Sequence, residues 1–214
     1  MKGIILKDLY DNFCIPKNAA AYIFAGLLTI PVGFLVRSEY YYILFSMIIL
    51  PLIGGCALEY PTEQEERANF TRLLATFPVS MAQIMTAKYI LGLCSAAVCN
   101  LFALMCAMIQ VYVHHTVSLS EALRIWGVGI SISLIFLSLI YVGYFLLGRR
   151  WGTVFFIGVT ILIAAVYGAS TVLVGIEAVF SLSPVLILCL LLAGAVMLVL
   201  SRFASVRIYK WKNS

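Results

Sequence analysis

The sequence predicts an all-α integral membrane protein with six transmembrane helices. Three observations predict it. Apolar residues make up 64% of the 214-residue chain, charged residues 11%, and the mean hydropathy is +1.07. A soluble domain is about 45–50% apolar and about 25% charged. The apolar residues also fall into six long, charge-poor runs, and crossing a bilayer takes about 20 such residues. Finally, the basic residues are distributed unevenly between the connections, as a multi-pass protein requires.

The spans are placed at about 19–36, 40–58, 89–113, 125–148, 153–174 and 184–201. Backbone polar groups have no water to bond in lipid, so each span closes its own hydrogen bonds as a helix. The runs are continuous rather than alternating, which excludes barrel strands. With the N-terminus inside, the outer connections hold only Arg37 and Arg124 of the 14 Lys and Arg. The rule that inner loops are basic therefore puts both termini in the cytoplasm. The net charge of +5 is accounted for by these inner residues and calls for no nucleic acid. Arg202, Arg207, Lys210 and Lys212, with Tyr209 and Trp211 at headgroup depth, read as an anchor on anionic membrane lipid.

Residues 1–18 precede the first span and contain no long apolar run, so no cleaved signal peptide is expected. Ile4, Ile5, Leu9 and Phe13 recur at helical spacing, with Lys7, Asp8 and Asp11 between them. This pattern predicts a helix lying in the inner interface, ending near Pro16. The six cysteines form no CxxC pair and read as small apolar side chains. The outer connections are too short for an extracellular domain, so anything the chain handles is met in the membrane or at its face.

The inner loop between spans two and three is the most charged stretch. Thr62 and Glu65 match the S/T-x-x-E capping box, and Glu63, Glu65 and Glu66 suit a helix N-terminus. Phe70, Leu73, Leu74 and Phe77 then recur at i, i+3, i+4 and i+7, with Arg67 and Arg72 off that stripe. Pro78 ends the helix, and Ser80 with Gln83 forms a second capping box that starts the next one. An amphipathic helix over about 62–77 has two readings: apolar knobs that dock in a partner's groove, or a face lying on the inner leaflet.

Residues 72–90, RLLATFPVSMAQIMTAKYI, resemble the permease subunits of ABC-2-type ABC transporters. Phe77-Pro78-Val79-Ser80 and Ala87-Lys88-Tyr89 match the family's pattern after span two, while Met81 departs from the basic residue often found there. The MKGIILKDLY opening is also similar. The resemblance implies a half-transporter that pairs with a second permease half, identical or not, and binds a cytosolic ATP-binding subunit. It makes the 62–77 helix the coupling helix, with Glu65, Glu66, Phe70, Arg72, Leu73, Leu74, Phe77 and Pro78 as its coupling residues. ATP and Mg are then expected on the partner, because this chain has no GxxxxGK[ST] loop. The chain itself is expected to bind no cofactor and to catalyse nothing. Export is implied by the family.

No Asp, Glu or His lies within the cores of the six expected spans, which argues against a proton-coupled transporter. The apolar spans suit a hydrophobic or amphipathic cargo: a peptide, an antibiotic or a lipid-like molecule. Asn100, mid-way along span three, either bonds across helices or lines a translocation path. His114 and His115 point about 100° apart on a helix and make poor joint metal ligands. Two other readings fit six spans: the substrate-binding membrane subunit of a vitamin importer, and a non-transporting immunity or scaffold protein.

The orientation has a direct test. In a cysteine-free background, a cysteine at Glu121 should react with a membrane-impermeant maleimide in intact cells. A cysteine at Ser214 should react only after permeabilisation. The reverse pattern would invert the topology.

Overall fold

The computed structural model describes residues 2–67, 80–173 and 182–212, and every secondary-structure element among them is helical. Helix α1 spans Lys2–Phe13 and α2 spans Pro16–Leu35. Pro16 occupies the first turn of α2, where its missing N–H is no loss. Helix α3 is a continuous run over 39–67 built from Glu39–Leu44, a π turn Phe45–Ile49, Leu50–Gly55, a 3₁₀ turn Cys56–Leu58 and Glu59–Arg67. Helix α4 spans Met81–Ile109 and ends in a π turn, Gln110–His114. The run Leu119–Leu173 is interrupted at Gly148, giving α5 (119–147) and α6 (149–173). Helix α7 spans Pro184–Lys212. Five of these stretches are long and apolar enough to cross a membrane, counting Leu119–Ala169 as one.

The irregular turns in α3 have a cause in sequence. Proline lacks the N–H that would bond the residue four back, and its ring crowds that carbonyl. Pro51 looks back to Met47, inside the π turn, and Pro61 looks back to Ala57, inside the 3₁₀ turn. The backbone loosens or tightens by one register where each proline needs room. The Ala57 carbonyl, which Pro61 cannot serve, accepts the Asn12 side-chain amide from α1 at 2.8 Å.

Gly148 sits at φ 77° and ψ 179°, a conformation open essentially to glycine alone. It reverses the chain. Tyr144 and Thr153 hydroxyls come to 3.2 Å, and the rings of Phe136 and Phe156 lie 5.6 Å apart and edge-on. α5 and α6 are therefore an antiparallel hairpin, and α7 packs chiefly on it.

The core holds four apolar clusters, centred on Tyr42 and Ile125, on Phe136 and Tyr141, on Ile84 and Met85, and on Tyr22 and Cys99. Among the described residues, the buried tyrosine hydroxyls have partners. Tyr22 bonds Ser95 at 2.7 Å, Tyr42 the Ala122 carbonyl at 2.6 Å, and Tyr141 the Lys88 carbonyl at 3.2 Å. Glycine permits close helix approach: a Cβ at Gly129 of α5 would overlap the Ser46 carbonyl oxygen of α3.

The face that α1 buries carries polar residues beside part of its apolar stripe, with Ile4, Ile5 and Phe13 packed on the core. Ile4, Asp8 and Asn12 are buried against the bundle, while Leu6 and Tyr10 are exposed. The Asn12 amide has a partner there in the Ala57 carbonyl, and Asp8 lies beside the Lys7 ammonium.

Gly129→Ala should lower the melting temperature of the detergent-purified chain, because backbone rather than a side-chain tip must move. Gly148→Ala should lower it by the equivalent of about 1–3 kcal/mol of backbone strain. Gly158→Ala, with open space around it, should leave it unchanged.

Candidate functional site

One end of the bundle gathers the elements that flank residues 68–79. The start of α4 is fixed as its sequence requires: Gln83 N–H donates to Ser80 Oγ at 3.3 Å, and Ser80 N–H to Gln83 Oε1 at 3.1 Å. The expected capping box at Thr62 and Glu65 does not form. Thr62 lies inside a helix that already runs from residue 39, and its hydroxyl donates to the Leu58 carbonyl at 2.6 Å. With no N-terminus there to satisfy, Glu65 turns to other partners.

Those partners are lysines. Lys88 Nζ donates to Glu65 Oε2 at 2.7 Å, with the Lys88 side chain 5% and the Glu65 side chain 11% exposed. Lys7 of α1 reaches Glu65 Oε1 at 3.4 Å, Asp11 Oδ2 at 3.2 Å and Asp8 Oδ1 at 2.9 Å. Arg149, just past the α5–α6 turn, pairs with Glu63 at 3.4 Å. One continuous set of charges thus joins α1, α3 and α4, and a second contact joins α3 to the hairpin. Burial alone would lower the Lys7 pKa, but Asp8, Glu65 and Asp11 outweigh it and leave it above its ordinary 10.5. Its contribution to stability is therefore full below pH 10.5 and is lost only as the pH rises through the raised folded value.

α4 makes a further set of contacts one turn along. The Tyr89 hydroxyl bonds Ser201 and, at 2.9 Å, Ser205, both on α7. Arg202 donates from Nη2 and Nε to Thr86 Oγ1 at 2.9 and 3.2 Å. The first three turns of α4 therefore grip α3 on one side and α7 on the other.

Of the residues assigned to partner coupling, Glu65 sits in this cluster with its carboxylate turned into the bundle, and Glu66 lies on the last turn of α3. Phe70, Arg72, Leu73, Leu74, Phe77 and Pro78 fall outside the described residues. Sequence reasoning quoted Lys88 and Tyr89 only as part of a motif. The available signal was a lysine embedded at the start of an apolar helix, which needs a buried anion.

Asn100 lies elsewhere, mid-way along α4. Its Nδ2 donates to Ser133 Oγ of α5 at 3.1 Å and to the Ala96 carbonyl at 2.8 Å, and its own carbonyl accepts the Trp126 indole N–H at 2.9 Å. It also borders an outward-facing groove of about 380 Å³ with Leu93, Leu101, Trp126 and Ile130. His114 Nε2 is 2.9 Å from the Gly33 carbonyl, and His115 closes α4 in the left-handed region at φ 51°. Among the described residues, no three His, Cys, Asp or Glu side chains are grouped to hold a metal ion.

A family model described as ABC-2 family transporter protein matches residues 3–210. The chain belongs to that family. It is thus a multi-pass membrane protein and a transport subunit, and ABC-2 permeases in general work with an ATP-binding partner. No curated protein and no solved structure matches this permease.

In the permease, Glu65→Gln should destabilise the detergent-solubilised chain by about 3–5 kcal/mol, because it strands the Lys88 ammonium in a buried site. The pair Glu65→Gln with Lys88→Met should cost clearly less than the sum of the single changes. Additive losses in thermal melts would mean the two groups do not interact.

Proposed function

We propose that this permease is the membrane half of an ATP-driven exporter. In this reading it has six spans, with both termini cytoplasmic. The run Leu119–Ala169 is 51 residues long; as one straight helix it would measure about 75 Å, against a hydrocarbon core of about 30 Å. The reversal at Gly148 supports its counting as two spans.

Two permease halves pair, and each engages a cytosolic ATP-binding subunit through residues 62–77. The apolar knobs Phe70, Leu73, Leu74 and Phe77 sit in a groove of that subunit, with Glu66, Arg72 and Pro78 at its edges. Glu65 has a different task from theirs: it ties the root of the coupling segment to α1 and α4. Nucleotide-driven motion of the partner pushes this segment. The charge cluster passes the push to three helices at once, because α1, α3 and α4 cannot move separately without breaking a buried ion pair. The cargo is a hydrophobic or amphipathic molecule, a peptide, antibiotic or lipid-like compound, crossing a path that carries few charges.

The family match over nearly the whole chain carries this reading. Co-purification tests it. Tagged wild-type chain, extracted in mild detergent from its native membrane, should bring down an ATP-hydrolysing subunit. Leu74→Asp and Phe77→Asp should abolish that capture while leaving the permease folded. Capture that ignores both substitutions would remove the coupling role from 62–77, and absence of any ATPase would remove the exporter reading itself.

A further inference from the structure

The contact of α1 with the bundle contains a polar anomaly that the coupling scheme does not use. Asp8 and Asn12 stand one helical turn apart on the buried face of α1, and both are 0% exposed. Asn12 Nδ2 is committed to the Ala57 carbonyl. Asn12 Oδ1 and Asp8 Oδ2 are buried without a hydrogen-bond partner, while Asp8 Oδ1 has the Lys7 ammonium at 2.9 Å. Two sealed acceptor oxygens with no donor are costly. The site is short of a hydrogen.

Charge counting gives the same answer. Among the described residues, the charged groups around Asp8 are Lys7 on α1 itself, Glu65 from α3 and Lys88 from α4, with Asp11 joined to them through Lys7, and the phenol of Tyr141 from α5 also faces it. Tyr209 of α7 packs on the same seam, beside Ile4. With Asp8 ionised, three carboxylates confront two ammonium groups. With Asp8 neutral, Lys7 and Lys88 balance Asp11 and Glu65.

We infer that Asp8 is a proton-binding site: it holds its carboxyl proton at neutral pH, presents it toward Asn12 Oδ1, and so keeps α1 locked on the α3–α4 junction. One proton on Asp8 Oδ2 satisfies both orphaned oxygens and removes the surplus negative charge. Burial and the Glu65 charge raise the Asp8 pKa above its ordinary 3.8, against the pull of Lys88 and Lys7. The sign follows from the raised value. Asp8 contributes stability that is full below pH 3.8 and is lost as the pH rises through its folded pKa. Alkalinisation on the inner side would expel the proton, leave an uncompensated anion in the seam and loosen α1. The inference concerns the docking of α1, and it stands whether or not residues 62–77 engage an ATPase.

Isotope-edited infrared spectroscopy of the full chain in nanodiscs tests it. At neutral pH, wild type should show the C=O stretch of a protonated aspartic acid, shifted by D₂O and missing from Asp8→Asn. Raising the pH should convert this band to carboxylate and lower the melting temperature. Asp8→Asn, of the same shape and permanently neutral, should lack that fall over the same pH range. A wild-type spectrum holding carboxylate alone at neutral pH overturns the inference, whether water or sodium then fills the site, and it does so even if the variant fails to fold. An unchanged pH dependence in a folded Asp8→Asn overturns it too.

Discussion

The buried pair between Glu65 and Lys88 is the constraint on which one end of this molecule depends. Two charges withdrawn from water are stable only with close geometry and further bonds around them. The 2.7 Å contact supplies the first, and Lys7, which shares the same carboxylate, supplies the second. Because the two partners are 23 residues apart in sequence, their pairing ties the end of α3 to the start of α4. Asn12 adds a second tie by taking up the carbonyl that Pro61 leaves vacant. A proline that would weaken an isolated helix here creates the acceptor that holds a neighbouring one.

Further into the bundle, the helices are held by hydroxyls and by close approach rather than by charge. Helix association in lipid gains nothing from hiding one apolar face from another, so packing and hydrogen bonds decide it. The tyrosine hydroxyls on Ser95, Ala122 and Lys88 cross between helices, as does Ser201 to the Ser138 carbonyl at 2.9 Å. Gly54 lets α3 approach the backbone of α4 at Ala96, and Gly129 does the same between α5 and α3. Rigid contact inside and a charged rim at one end suit a body that turns as a unit when pushed at that rim.

Hydropathy made the helices legible, because a run of apolar residues long enough to cross a bilayer has few other uses. The Ser80–Gln83 capping box was also legible, since a cap and its partner lie three residues apart and nothing distant competes. The same pattern at Thr62–Glu65 misled. A capping box needs a free helix start, and α3 continues through Pro61 only because the 3₁₀ turn at Cys56–Leu58 accommodates it. The inward turn of Asp8 and Asn12 was hidden for a related reason. A polar residue reads as exposed unless its partner is known, and here the partners belong to α3 and α4, some 45 to 80 residues away. Local pattern carries local structure; the charge cluster is a property of which helix ends meet.

The π turn at Phe45–Ile49 sets the rotational phase of everything after it in α3. Such a turn holds one residue more than an α turn, and each residue of an α-helix subtends about 100°. Remove one residue there and the remaining helix would revolve by about that angle relative to the first half. Glu65 would then face away from Lys88, and the Ala57 carbonyl away from Asn12. The surplus residue acts as a phase shifter, turning a helix from the register that suits one membrane face to the register that suits the other.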